Sequence, residues 1–258
     1  MKVKTLIASV ALIALGTAAA GAADLAVKAP PPAPVPVFSW TGFYVGANIG
    51  GAWSNNRWTD TVFLTNFNNG NNGVFIGGGQ IGGNYQVGSF VIGGEWDFDW
   101  AANNNNNTGV VIPGVGNVVV TNNNRWITTV AARFGWAVDH LLIYGKAGGG
   151  WVGTNNLTVT NLNTGVSFTC GTFTTFTNCG NSTGGWLLGA GFEYAFTNNW
   201  TVKAEYDYLG LGSRTFVLPV GSPFLPGDTF TSNNRNVQTF KIGVNYLFNW
   251  GAPVTARY

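Results

Sequence analysis

SFVIGGEWDFDW, residues 89–100, decides the fold. Phe90, Ile92, Trp96, Phe98 and Trp100 share one face of an extended chain, and Glu95, Asp97 and Asp99 share the other. A repeat of two is that of a β-strand whose faces meet different surroundings. In a soluble sheet the apolar face is buried and the wet face carries abundant charge. Here the apolar face is heavily aromatic, and the opposite face mixes charges with small residues. That distribution suits a strand with hydrocarbon outside and a polar interior.

Seven further segments follow the same rule. Trp40–Trp53 sets Phe43, Val45, Ala47, Ile49 and Trp53 against Tyr44, Asn48 and Gly50. Val74–Val87 sets Phe75, Ile81, Tyr85 and Val87 against Gln80, Asn84 and Gln86, and Arg125–Val138 sets Trp126, Val130, Ala132, Phe134 and Trp136 against Arg125, Thr129 and Arg133. Leu141–Gly153 opposes Ile143, Ala147 and Trp151 to Tyr144 and Lys146, and Gly184–Phe196 opposes six apolar or aromatic residues to Glu193. Trp200–Gly212 carries Lys203, Glu205 and Asp207 on its polar face, and Asn236–Phe248 carries Thr239, Lys241 and Asn245.

Across the eight segments, six acids (Glu95, Asp97, Asp99, Glu193, Glu205, Asp207) and five bases (Arg125, Arg133, Lys146, Lys203, Lys241) all fall on the polar faces. A Lys or Arg facing the middle of a bilayer costs about 2–4 kcal/mol, which explains the segregation. Backbone groups in hydrocarbon must pair with one another, so the sheet has to close. The expectation is an all-β protein: an eight-stranded antiparallel up-and-down transmembrane β-barrel over residues 40–248.

The connections alternate in length. Gly88, Asp139-His140 and Thr197-Asn198-Asn199 read as tight turns. Ser54–Gly73, Ala101–Asn124, Thr154–Thr183 and Ser213–Arg235 read as long, mostly Asn-rich loops. Short periplasmic turns and long external loops are the outer-membrane pattern. Aromatic residues at the strand ends predict interfacial girdles, with Trp40, Tyr85, Phe90, Trp136, Phe196, Trp200 and Phe248 at the periplasmic rim.

Composition narrows the function. The chain has 258 residues, of which 9% are charged and 14% aromatic, and a formal charge of +2. Ordinary soluble domains carry roughly 25% charge. No basic patch is available to grip nucleic acid. So many aromatic residues also exclude a disordered chain.

Residues 1–22 read as a secretory signal peptide: Lys2 and Lys4, an apolar run from Leu6 to Gly16, then Ala20-Gly21-Ala22. Residues 23–39 form a proline-rich periplasmic lead-in, with Pro30, Pro31, Pro32, Pro34 and Pro36 favouring an extended chain. Export to an oxidising compartment predicts a disulfide between Cys170 and Cys179, both in the third long loop. The lone histidine, His140, falls in a turn beside Asp139. No catalytic constellation, metal site or cofactor site is expected.

The last strand closes Lys241-Ile242-Gly243-Val244-Asn245-Tyr246-Leu247-Phe248. Lys241, Gly243, Tyr246 and Phe248 resemble the terminal signal read by the barrel-assembly machinery. A tail, residues 249–258, follows. The stretches ADLAVKAPPPAPVPVFSWTGFYVGANIGGAW, GGWLLGAGFEYAF and KIGVNYLFNWGAPVTARY resemble the small outer-membrane β-barrel proteins of alphaproteobacteria, a surface-antigen and porin-like family similar in size to the OmpA transmembrane domain. The resemblance implies residence in the outer membrane, with lipid and lipopolysaccharide as neighbours, and some members are porin-like or haem-binding. It supplies no catalytic motif.

The eleven polar-face charges then have two readings. An eight-stranded barrel has room inside for little more than its own side chains, so they form a plug. The alternative is a narrow path for small solutes lined by the same charges. Binding of haem or a host ligand by the long loops is a third reading, with the ligand unspecified.

Overall fold

The computed structural model describes residues 38–60, 66–102, 107–112, 116–121, 124–154, 158–169, 182–217 and 229–249. Eight long strands dominate: β1 (Gly42–Asp60), β2 (Asn66–Val87), β3 (Phe90–Ala101), β6 (Asn124–Val138), β7 (Leu141–Thr154), β10 (Ser182–Ala195), β11 (Trp200–Leu211) and β13 (Thr229–Asn249). Five short strands lie between them: β4 (Asn107–Ile112), β5 (Gly116–Thr121), β8 (Thr158–Asn161), β9 (Ser167–Thr169) and β12 (Arg214–Val217).

The long strands pair antiparallel in the order β1-β2-β3-β6-β7-β10-β11-β13. β13 then returns to β1, from Gly42↔Asn249 at one end to Asp60↔Phe230 at the other. The cylinder is closed, so among the described residues the eight-stranded wall has no free edge strand. Two of the tight turns use a left-handed residue, Gly88 (φ 61°) and Asp139 (φ 50°). Asp is among the few non-glycine residues that tolerate that region.

Side-chain alternation sets the two surfaces. Phe43, Ile49, Phe75, Ile81, Phe134, Trp136, Ile143, Leu188 and Phe192 are exposed on the outside. Polar atoms on this face can be satisfied locally: Trp96 Nε1 donates to Thr128 Oγ1 at 2.8 Å, and Thr128 donates to the Asp97 carbonyl at 2.8 Å. Ala132 points outward on β6, midway between Trp126 and Trp136. Ala132→Arg should therefore cost about 2–4 kcal/mol in urea unfolding from lipid vesicles. The adjacent Arg133, one residue along and facing inward, is already accommodated.

The interior is stacked in three tiers. An apolar cluster at the turn end contains Phe38, Trp40, Tyr44, Val91, Ala137, Leu142, Tyr144, Ala195 and Leu247. A second, at the loop end, contains Ala52, Val74, Ile76, Ile127, Ala131, Val152, Leu187, Leu209 and Val237. Charged and amide side chains fill the space between.

Two expectations about the wall need correction. The long connections are not structureless: β1, β2 and β13 run well past the membrane-spanning lengths, β4, β5, β8 and β9 form a second sheet, and β12 adds to β13. These segments lack the aromatic alternation that marks the wall. Trp40 is not a girdle residue. The strand begins only at Gly42, and the Trp40 side chain is fully buried in the lumen. Its Nε1–H donates to the Asp139 carbonyl at 3.2 Å, and Phe38 packs edge-on against it.

Candidate functional site

The polar tier is built by inward positions of β3, β6, β7, β10, β11 and β13. Glu95, Asp97, Asp99, Arg133, Lys146, Glu193, Lys203, Glu205, Asp207 and Lys241 are all buried. Arg133 and Lys146 are direct cross-strand neighbours, as are Glu205 and Lys241. Two like charges side by side repel unless counter-charge lies between them.

Glu95 supplies that counter-charge. Its carboxylate accepts from Lys146 Nζ at 2.7 Å, Lys203 Nζ at 3.1 Å, Arg133 Nη1 at 3.2 Å and the Tyr44 hydroxyl at 2.7 Å. Arg133 also donates to the Tyr44 hydroxyl and, at 2.8 Å, to Glu193. Its guanidinium carbon lies 3.9 Å from the centre of the Tyr144 ring, a cation–π contact. Tyr144 in turn donates to Glu205 at 2.7 Å.

Glu95, Asp97 and Glu205 bring carboxylate oxygens within 4.8 Å of one another, close enough to suggest a metal site. Three lysines of the chain fill that role. Lys146 reaches all three acids at 2.7–3.1 Å. Lys203 adds contacts to Glu95 and Glu205, and Lys241 touches Asp97 at 3.1 Å and Glu205 at 3.4 Å.

An uncharged chain continues the tier toward β1 and β2. Asn48 donates to Gln80 at 2.9 Å, Gln80 to Asn245 at 2.7 Å, and Asn245 to Glu193 at 2.7 Å. Gly243 makes room for this crossing: a Cβ there would stand 3.0 Å from Gln80 Nε2 and 3.1 Å from the Ala47 carbonyl. Thr201 donates to the same Glu193 carboxylate.

Arg125 departs from the expected set. It is exposed, at a register shift between Asn124 and Trp126 where β6 leaves the regular ladder with β7. The extra residue there breaks the two-residue alternation. Arg235, read from sequence as a loop residue, is instead buried and donates to Thr183 at 3.0 Å. The signal for it was available, since Arg235, Val237, Thr239 and Lys241 keep one parity. Tyr44 and Thr201 were also missed as partners of the acids.

The remaining sites are simply placed. His140 is partly exposed at a turn, 2.7 Å from the Asp139 carboxylate and stacked on Phe38. Of the closing motif, Lys241 and Gly243 point inward, and Tyr246 and Phe248 meet edge-on with centroids 4.9 Å apart. Cys170, Cys179, residues 1–37 and residues 250–258 lie outside the described residues.

Comparison with known proteins adds kinship. The sequence pattern of the family described as outer membrane protein beta-barrel domain matches residues 8–248. The 31 kDa outer-membrane immunogenic protein of Brucella melitensis is 34% identical over 257 residues, covering 94% of this chain and 98% of its own. The 22 kDa outer membrane protein of Rhizobium leguminosarum is 31% identical over 219 residues, covering 84% of this chain and 82% of its own. Among solved structures, the outer membrane protein OprG from Pseudomonas aeruginosa aligns with a TM-score of 0.47 at 8% identity, over 82% of this chain and 99% of its own.

Proposed function

The chain belongs to the outer membrane β-barrel protein family and resides in the outer membrane, and on that premise we propose that it is a sealed barrel with a structural and surface role. The observation that carries this reading is a contact across the full lumen. β3 and β11 stand four places apart in a ring of eight strands, yet Lys203 Nζ on β11 lies 3.1 Å from the Glu95 carboxylate on β3. Side chains from opposite walls meet, and apolar tiers close the space on either side.

In this reading the tight turns face the periplasm and the long connections face outward. The Asn- and Thr-rich crown is then the surface presented to the environment, as befits a relative of proteins named immunogenic. Its near-lack of charge keeps it soluble within an anionic lipopolysaccharide layer. The motif Lys241, Gly243, Tyr246 and Phe248 would be read by the barrel-assembly machinery as the chain is inserted.

Planar-bilayer recording tests the sealed interior. Reconstituted protein is expected to give no reproducible conductance steps. Steps whose size changes on neutralising Arg133 or Glu95 would overturn the sealed barrel in favour of a passive small-solute path.

A further inference from the structure

The charged tier is unevenly compensated. Glu95 and Glu205 each contact three bases. Asp99 and Asp207, at its loop end, have one ion-pair partner each among the described residues. That partner is the same Lys241 ammonium, at 3.5 and 3.3 Å, and Lys241 is already shared with Asp97 and Glu205. Asp99 Oδ1, both carboxylate oxygens of Asp207 and the Thr239 hydroxyl have no hydrogen-bond partner among the described residues, although all three residues are at least nine-tenths buried.

These groups face one another. Asp99 from β3, Thr129 from β6, Asp207 from β11, and Thr239 and Lys241 from β13 line a single small cavity under the loop-end apolar cluster. It has room for about one water molecule. Thr129 is already engaged with Asp97 at 3.2 Å. The charge count points the same way. Among the described residues the lumen buries six carboxylates (Glu95, Asp97, Asp99, Glu193, Glu205, Asp207) against five bases (Arg133, Lys146, Lys203, Lys241, Arg235).

We infer that this cavity is a binding site for one monovalent metal cation, held by the Asp99 and Asp207 carboxylates and the Thr239 hydroxyl. A water molecule would satisfy the hydrogen-bonding groups but leave a buried carboxylate charge uncompensated, which is costly. A divalent ion would overshoot the single missing charge. The inference does not depend on whether the barrel conducts.

The test uses the full chain folded in detergent micelles and unfolded with urea. Sodium chloride is compared with N-methylglucamine chloride at equal ionic strength. The wild-type midpoint is expected to be higher in sodium. In Asp99→Asn and in Asp207→Asn the surplus carboxylate is gone, so the sodium effect disappears, and each unfolds in N-methylglucamine no earlier than wild type does in sodium. Thr239→Val keeps the charge, so the effect survives but needs severalfold more sodium. Equal wild-type midpoints in the two salts would overturn the site, whether stability then follows pH (a shared proton) or neither variable (a water). A sodium effect that persists in both Asp variants would overturn it too. Crystals of the wild-type protein soaked in thallium(I) give a check that needs no variant: an anomalous peak between Asp99 and Asp207 is expected, and its absence counts against the site.

Discussion

Glu95→Ala is expected to destabilise the folded barrel by about 3–5 kcal/mol, the usual cost of removing one partner from a buried charge cluster. The variant leaves Arg133, Lys146 and Lys203 facing one another without the carboxylate on which all three converge. It also removes the acceptor of the Tyr44 hydroxyl, which keeps only the hydrogen bond it receives from Arg133. Simple charge counting gives the opposite answer, because the lumen has one acid in excess and losing any acid would balance it. Position decides: Glu95 sits where bases converge, whereas Asp99 and Asp207 sit where acids do. Equilibrium urea unfolding in lipid vesicles, followed by tryptophan fluorescence, measures the difference. A loss below about 1 kcal/mol would mean that water reaches the polar tier and screens its charges, which is the condition a conducting path requires.

The wall of the barrel was legible because the bilayer imposes a penalty at every outward position. That penalty writes the two-residue repeat into all eight spanning strands and forces ten of the eleven expected charges inward. The rule has an edge, and the misreadings lie on it. At Arg125 a register shift breaks parity where β6 leaves the membrane. Beyond the membrane the same strands continue without aromatic alternation, so β1 to Asp60 and β13 from Thr229 look like loops in sequence, and Arg235 was assigned to one of them. Parity also gives side without depth. It places Lys146, Lys203 and Lys241 inside, but that all three reach the same acids depends on lysine length and on which strands face each other across the lumen. The uneven compensation of Asp99 and Asp207 is therefore visible only in three dimensions.

Trp40 was misread for a different reason, and it is the residue on which the turn end of the lumen depends. An aromatic residue one step before a strand is what a girdle looks like in sequence. Gly42, with φ 151°, takes a backbone conformation that side-chain-bearing residues rarely adopt, and it lets the preceding segment turn from the wall into the mouth. Trp40 then packs among Leu142, Tyr144 and Leu247 rather than against lipid. Trp40→Ala should cost about 3–5 kcal/mol in vesicle unfolding, as large-to-small changes of a buried tryptophan do. Trp136→Ala, at the same end but exposed on the outside, should cost clearly less, since lipid can fill the space it leaves. The paired measurement separates a cork from a girdle. A cork makes Trp40→Ala the more damaging change, and it makes a cysteine at Leu142 reactive to a water-soluble maleimide only when Trp40 is also replaced. Equal costs, or labelling at Leu142 with Trp40 intact, would place Trp40 back at the lipid surface and leave the lumen open at its turn end.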